Sequence, residues 1–297
     1  MSLIGIVTVL YNSETVVEEF FETLNNQTFK DFVLYVVDNN SPDNSLEKSK
    51  KLAKNCFFKT IFIENSDNYG VAKGNNIGIK KSLEDGCDYV LLSNNDIYLE
   101  NNTIELLLKN VKNDNAKLAV PKIYYYNSNL IWCAGGVFDK KSGMTRHYNV
   151  GEEDYGQCDK KKIVEYAPTC FMIISKDVFE KIGIMDEDYF VYFDDTDFMY
   201  RAYKAKIPLY YFPESRLFHK ESVSTGLKSP FSLYYQMRNI VIYNNKYHSS
   251  LYLLYIVFRN IAYLIFKISF TNKFKVLKAG FNGLFDGIKF INNKRNK

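Results

Sequence analysis

Three aspartates fall within four positions of the segment VYFDDTDFMYR, Val191–Arg201. A cluster of carboxylates can begin a helix, bind a metal ion, or remove a proton from a substrate hydroxyl. Asp194 suits a helix N-cap, and Asp197 precedes Arg201 by the spacing of an ion pair on one helix face. Helix capping and ion pairing therefore account for the presence of Asp194 and Asp197. They account least for the presence of Asp195.

A second acidic position, Asp96, ends the segment YVLLSNND (Tyr89–Asp96). Hard divalent cations need oxygen ligands, and they often take only one or two protein carboxylates when a substrate diphosphate supplies the rest. Asp96 therefore suits a cation such as Mn²⁺ or Mg²⁺.

The elements that must position these acids alternate between strand and helix. Apolar runs at Leu3–Leu10, Phe32–Asp38 and Tyr89–Asp96, and a shorter run ending at Ile63, are typical of strands buried on both faces. Helical segments are predicted between them, one of them around Ile77–Glu84. We therefore expect an α/β domain with a mostly parallel central sheet and right-handed crossovers.

The pattern changes in the second half of the chain. Residues 118–167 contain short strands and glycine turns, which predict a mixed sheet, and Ser175 and Gly183 are expected to cap and end a helix. We expect a catalytic domain at 1–228, divided into a nucleotide-binding half (1–100) and an acceptor half (101–228). Residues 229–297 form a helical, basic extension in this interpretation.

Polar residues follow several of the predicted strands. In an open parallel sheet, ligands bind beyond the carboxyl ends of the strands, so these side chains are expected to meet at one edge. They are Tyr11, Asp38, Asn68, Lys73, Asn76, Asn95 and Asp96. Each one alone fits turn chemistry, but their convergence indicates a binding site. Neither GxGxxG after the first strand nor GxxxxGK[ST] anywhere is present, which argues against a dinucleotide fingerprint and a P-loop.

The composition limits the possible binding partners and the cellular compartment of the protein. The chain has 297 residues and a net charge of +4, which does not indicate a nucleic-acid partner. Its five cysteines form no CxxC pair, so a reducing, cytoplasmic compartment fits better than a disulfide framework or a zinc site. The N-terminal segment lacks the basic region and cleavage site of a signal peptide.

The segment Leu251–Phe270 is long enough to span a bilayer, but Arg259, Asn260 and Lys267 interrupt it. Lysines dominate the residues that follow, where Asp286 is the single acid. Two interpretations stay open: a helix packed on the core of the domain, or a basic, aromatic helix lying on the inner face of the cell membrane.

An ordered set of motifs resembles the family 2 glycosyltransferases with a GT-A fold, and the rhamnosyltransferase-like branch in particular. The motifs are VTVLYNS, VVDNNSPDNS, NYGVAKGNNIGI, LLSNNDIYL, FVYFDDTDFMYR and FHKESVS, and the resemblance runs from about Ile4 to Tyr247. It implies inverting transfer of a sugar from dTDP-rhamnose or a UDP-sugar. The implied acceptor is a glycan or lipid-linked glycan in bacterial surface polysaccharide synthesis.

The resemblance also implies a role for each matching residue. SNND matches the DxD motif, with Asp96 as a ligand of Mn²⁺ or Mg²⁺, although Asn94 replaces the first aspartate. His219 matches a position that completes metal or diphosphate binding. Asp195 matches the catalytic base of a Glu-Asp pair in which Asp194 here replaces the glutamate. The positions implied to hold the donor nucleotide are Tyr11, Asp38, Asn68, Lys73, Asn76, Asn95 and Asp96.

Two other functions remain open on the sequence. A sugar-phosphate nucleotidyltransferase would share the fold and the cation, but it should carry a glycine-rich basic loop where this chain has LYNSET. A non-catalytic carbohydrate-binding protein of the same fold would not need both Asp96 and Asp195. The sequence leaves the donor sugar, the acceptor and the oligomeric state open.

Overall fold

The predicted parallel strands form the first half of the sheet in the structure, a computed structural model that describes residues 3–220, 229–268 and 274–295. They are β1 (Ile4–Leu10), β2 (Phe32–Asp38), β3 (Lys59–Glu64) and β4 (Tyr89–Ser93). They pair in parallel in the order β3-β2-β1-β4. Leu10 pairs with Asp38, so the carboxyl ends of β1 and β2 lie side by side.

The second half extends the same sheet with strands of mixed direction. These are β5 (Ile97–Leu99), β6 (Leu118–Tyr125), β7 (Ile131–Cys133), β10 (Lys162–Val164), β11 (Phe171–Ser175) and β12 (Leu209–His219), while β8 (Gly136–Asp139) and β9 (Met144–His147) form a separate hairpin. The antiparallel strand β11 places Phe171 opposite Ser93, and β12 places His219 opposite Ile97 and Tyr125. The ends of β6 and β12 therefore reach the same edge as those of β1, β2 and β4.

Helices cover the sheet and continue beyond it. They are α1 (Val17–Asn25), α2 (Ser45–Ala53), α3 (Gly70–Glu84), α4 (Thr103–Asn113), α5 (Lys176–Ile182), α6 (Asp194–Lys204), α7 (Pro230–Tyr247), α8 (Ser250–Tyr263) and α9 (Phe274–Arg295), with a π-helical turn at Leu264–Ile268. Helix α5 begins after Ser175 and ends at Gly183, as predicted.

Helix α3 begins well before the expected start near Ile77. Its first turns contain glycines, which disfavour helices in isolation. Here the glycines allow close packing, because a Cβ at Gly74 or Gly78 would lie 2.9 Å or 2.4 Å from Val9 or Val7 of β1. Packing against the strand therefore overrides the local preference.

The C-terminal helices share an apolar cluster with the segment that leads into α6. Leu233, Met237 and Ile240 of α7 pack there with Tyr189 and Phe193. Across the described parts of the chain, no helix is long and apolar enough to cross a membrane. Ile256 and Asn260 of α8 are buried, as the packed-helix interpretation predicts. Residues 269–270 of the candidate span lie outside the described residues.

Candidate active site

The first part of the site lies where β1 and β2 end. Asp38 is buried, and its carboxylate accepts hydrogen bonds from the backbone N (3.2 Å) and Oγ (2.6 Å) of Ser41. Tyr11 follows β1 and exposes its ring. An exposed aromatic ring and a carboxylate at the ends of adjacent strands can stack a planar base and accept hydrogen bonds from a ribose.

The loop before α3 is tied to the end of β2. The Asn68 side-chain oxygen accepts hydrogen bonds from Gly70 N (3.0 Å) and Asn39 Nδ2 (3.4 Å), and Asn39 Nδ2 also donates to Gly70 O (2.9 Å). Lys73, in the first turn of α3, has its Nζ 3.9 Å from the ring centroid of Tyr69. A lysine at a helix N-terminus favours an anion, because its charge and the helix dipole act together.

Two other predicted nucleotide contacts use their side chains within the protein. Asn76 Oδ1 accepts a hydrogen bond from Met185 N (2.9 Å), and its Nδ2 donates to Met185 O (2.9 Å) and Glu187 Oε1 (3.0 Å). Asn95 Nδ2 donates to Val9 O (2.8 Å). These amides fix the backbone that surrounds the site, and their contact with a nucleotide stays a prediction.

Asp96 and His219 meet at the same edge. Their Oδ1 and Nε2 atoms lie 3.1 Å apart, and Asp96 O accepts a hydrogen bond from Lys220 N (2.9 Å). Burial alone would raise the pKa of Asp96, but the hydrogen bond and charge of His219 outweigh it and lower that pKa. The ring of Trp132 packs edge-on against His219, with the centroids 4.5 Å apart.

The side chains of Asp96 and His219 could act as metal ligands if a bound substrate supplied the others. In the described part of the chain, no group of three or more His, Cys, Asp or Glu side chains could hold a metal ion. Asp96 and His219 supply one carboxylate and one imidazole, and the Nδ1 atom of His219 is buried without a hydrogen-bond partner. The pair therefore fits a divalent cation whose remaining ligands come from a diphosphate and water.

The acidic cluster lies in the first turn of α6. The N-cap is Phe193, with no side-chain capping bond, so the interpretation of Asp194 as N-cap is wrong. Tyr192 and Phe193 both have left-handed backbones (φ 62° and 67°), which turn the chain so that Asp194 lies inside the helix with 5% of its surface exposed. Asn239 of α7 holds this turn, since its Nδ2 donates to Val191 O (2.8 Å) and Tyr192 O (2.9 Å).

Asp194 and Asp195 have different environments. Burial and the charge of Asp195 raise the pKa of Asp194 to about 8. Hydrogen bonds from the backbone N–H groups of Asp194 and Asp195 lower this pKa, but by less than burial raises it. Asp195 Oδ2 accepts a hydrogen bond from the Tyr166 hydroxyl (2.5 Å), and its Oδ1 accepts one from Thr196 N (2.6 Å). Burial and a neighbouring carboxylate disfavour the charged form of Asp194, whereas Asp195 has hydrogen-bond donors on both of its oxygens.

Asp197 is neutralised by its partners. Its Oδ2 accepts a hydrogen bond from Arg201 Nε (2.8 Å), which confirms the predicted pair. Its Oδ1 accepts hydrogen bonds from Lys246 Nζ and the Tyr247 hydroxyl of α7, each at 2.6 Å. Because the Asp197 side chain is fully buried, these contacts fix α6 against α7.

A row of rings connects the two ends of the site. From His219 to Asp195, its members are Trp132, His147 and Tyr166. Successive ring centroids lie 4.5, 5.0 and 5.8 Å apart. The sequence does not mark these residues as functional, because they lie in the irregular second half, where there is no periodicity. The row thus links the Asp96–His219 pair to Asp195 through a chain of neighbouring rings.

Similarity to known proteins identifies the family of this chain. The profile of glycosyl transferase family 2 matches residues 5–183. The chain is a family 2 glycosyltransferase. The dTDP-rhamnosyl transferase RfbF of Shigella flexneri is 30% identical over 240 residues, which cover 75% of this chain and 77% of that protein. The low-salt glycan biosynthesis hexosyltransferase Agl10 of Haloferax volcanii is 27% identical over 252 residues, which cover 83% and 76%.

Solved structures confirm the expected GT-A fold of this glycosyltransferase. S. aureus TarS 1–349 in complex with UDP aligns with a TM-score of 0.61 at 17% identity, covering 97% of this chain and 80% of that one. GalNAc-T7 with UDP, GalNAc and Mn²⁺ aligns with a TM-score of 0.65 at 15% identity, covering 82% and 48%. Membership of an enzyme family that uses nucleotide sugars disfavours the nucleotidyltransferase and non-catalytic alternatives.

The buried Asp194 should make stability depend on pH. Its pKa is raised in the folded protein and ordinary in the unfolded chain, so the folded protein binds more protons between about pH 4 and about pH 8. The contribution of Asp194 to stability is therefore present below about pH 4 and is lost as the pH rises through about 8. Asp194→Asn removes this dependence.

We therefore expect the free energy of unfolding of Asp194→Asn to rise relative to wild type with pH, by up to about 1.4 kcal/mol per pH unit. Urea unfolding of both proteins between about pH 5 and about pH 8 measures this difference. Asp31→Asn, at an exposed aspartate, is the control. A constant difference between Asp194→Asn and wild type would show that Asp194 does not take up a proton on folding.

Proposed function

We propose that the protein is an inverting glycosyltransferase that moves a sugar from dTDP-rhamnose or a UDP-sugar to a glycan or lipid-linked glycan. The observation that carries this proposal is a pair of carboxylate centres linked by a row of rings. One centre is Asp96 beside His219, and the other is Asp195 at the start of α6. The similarity to a dTDP-rhamnosyl transferase supports rhamnose as the donor sugar.

The proposed donor site follows the edge of the sheet. Tyr11 and Asp38 hold the base and ribose, and Lys73 faces the diphosphate. Asp96 and His219 are the residues that would hold Mn²⁺ or Mg²⁺, with the diphosphate supplying further oxygen ligands. When bound, this cation stabilises the negative charge of the departing nucleoside diphosphate.

Asp195 is the proposed base. It accepts the proton of the acceptor hydroxyl while that oxygen attacks the anomeric carbon on the face opposite the diphosphate. The new C–O bond forms as the bond to the diphosphate breaks, so the anomeric configuration inverts. The hydrogen bonds from Tyr166 and Thr196 keep the carboxylate oriented. Burial of Asp194 disfavours a second negative charge beside Asp195.

We further propose that residues 1–228 form the catalytic domain and that 229–297 form an extension that lies on an anionic membrane surface. One face of α8 supports this, because Leu251 and Phe258 are 78% and 62% exposed and Leu254 lies between them. Lys275 and Lys278 follow in α9. Exposed apolar residues beside lysines suit the inner leaflet, where a lipid-linked acceptor would be presented.

Donor turnover tests the proposed function. We expect release of nucleoside diphosphate from at least one member of a panel of UDP- and dTDP-sugars, supplied with a lipid-linked glycan acceptor. Release should stop in EDTA and recover with Mn²⁺ or Mg²⁺, and Asp96→Asn should lower it by about 100-fold or more. Asp31→Asn serves as the control, since this aspartate is exposed away from the site. Full turnover in EDTA would contradict the role of the cation.

Vesicle binding tests the proposed surface. We expect the protein to float with vesicles that contain phosphatidylglycerol and to stay unbound with phosphatidylcholine alone, because the lysines need anionic lipid. The double substitution Leu254→Asp and Phe258→Asp should abolish flotation, whereas Tyr155→Asp, at an exposed residue far along the chain, should not. Equal flotation of both variants would contradict the assignment of α8 as the contact face.

A further inference from the structure

A cleft lies on the face of the sheet opposite the one that carries the Asp96–His219 pair. Phe218 of β12 pairs with Tyr98 of β5 and with Tyr124 of β6. Side chains opposite each other on neighbouring strands share one face, and successive residues alternate between faces. The three rings therefore stand side by side, while His219 projects from the opposite face towards Asp96.

The rings form an aromatic floor. The centroid of Phe218 lies 5.5 Å from that of Tyr124, with the planes 28° apart, and 6.0 Å from that of Tyr98. Tyr126 extends the row, 6.5 Å from Tyr98. Tyr98 is 38% exposed, so the floor is open to a ligand from solvent.

Polar side chains form the walls of this cleft, whose volume is about 880 Å³. They include Glu100, Asn127, Asn129, Asp154, Asp159 and Arg216. One wall is fixed from below by the fully buried Lys122, whose Nζ donates to Asp154 (2.7 Å) and to Asp159. The Tyr124 hydroxyl also donates to Asp154 (2.5 Å). A buried lysine thus holds the wall and the floor together.

We propose that this cleft binds a neutral stretch of glycan chain, away from the hydroxyl that reacts. A sugar ring presents C–H groups on its faces and hydroxyls around its rim. The aromatic floor matches the C–H faces, and the amides, carboxylates and guanidinium of the walls match the hydroxyls. The volume lies within the range of about 300–1,000 Å³ that is usual for ligand pockets.

The charges of the walls select against other ligands that stack on aromatic rings. Glu100, Asp154 and Asp159 place carboxylates around the cleft, and Arg216 is the one basic residue among its described lining residues. Lys122 lies beneath Asp154 and Asp159, so the three acids face two cations, and the cleft lacks the excess of positive charge that would favour a nucleotide or other phosphorylated ligand. An uncharged polyol does not need such an excess, and it can use the same oxygens as hydrogen-bond acceptors.

The cleft adjoins the candidate active site at the sheet edge. Tyr98 lies on β5, which follows Asp96 directly, and Tyr126 N donates to His219 O (3.0 Å) at the sheet edge. An acceptor chain whose end reacts near Asp195 can therefore cross this edge and lay its distal sugars on the aromatic floor. This inference rests on the proposed function only for the choice of a glycan as the acceptor.

Titration calorimetry with neutral hexasaccharides tests the cleft. The panel includes rhamnose-containing and N-acetylglucosamine-containing chains, and UDP and dTDP are titrated separately. We expect wild type to bind at least one hexasaccharide, and both Tyr98→Ala and Arg216→Ala to weaken that binding about tenfold. Binding of the nucleoside diphosphate should be unchanged in both variants, which shows that each is folded.

Tyr255→Ala is the matched control, because Tyr255 is a similarly exposed tyrosine on α8, outside the cleft. Failure of wild type to bind any hexasaccharide, or wild-type affinity in both cleft variants, would overturn the inference. The transferase function and glycan binding in the cleft can be refuted independently. If wild type turns over no nucleotide sugar but Tyr98→Ala still loses the hexasaccharide, the cleft stands and the transferase function falls.

Discussion

The contact between α7 and the turn before α6 is the constraint on which the candidate active site depends. Two successive aromatic residues, Tyr192 and Phe193, adopt left-handed backbones there, at a cost of about 1–2 kcal/mol each. Asn239 offsets this cost, because its buried amide donates to the carbonyls of Val191 and Tyr192. Without Asn239 these carbonyls would lose the hydrogen bonds that its amide donates, and the first turn of α6 would no longer be directed into the site.

The same helix controls the charge of the acidic cluster. Lys246 and Tyr247 of α7 join Arg201 in neutralising Asp197, so this carboxylate adds little repulsion to its neighbours. Burial and the nearby charge of Asp195 raise the pKa of Asp194. Asp195 is therefore the one of the three carboxyl groups that is neither paired with Arg201 and Lys246 nor disfavoured by burial in its charged form. The C-terminal extension thus shapes the proposed base although it lies far from it along the chain.

The sequence predicted the parts of the fold that depend on local pattern. The continuous apolar runs of β1, β2 and β4 specified the parallel half of the sheet, and the polar residues that follow them identified the edge. Helix α3 was placed too late, because its glycines act through packing against Val7 and Val9. The N-cap was assigned to Asp194 because no local signal shows that two aromatic residues adopt left-handed backbones.

The remaining features of the site arise from contacts between distant parts of the chain. Trp132 and Tyr166 reach His219 and Asp195 only through the pairing of strands in the irregular half. Periodicity cannot reveal such contacts, and neither can the spacing of residues in a motif.

The most direct test of the mechanism compares two adjacent substitutions, Asp195→Asn and Asp194→Asn, in a single transfer assay with donor affinity measured in parallel. Loss of the base should lower transfer by about 100- to 10,000-fold in Asp195→Asn while the affinity for the nucleotide donor stays unchanged. Asp194→Asn, which mimics an already protonated side chain, should keep turnover within about tenfold of wild type. Wild-type turnover in Asp195→Asn would contradict the assignment of Asp195 as the base.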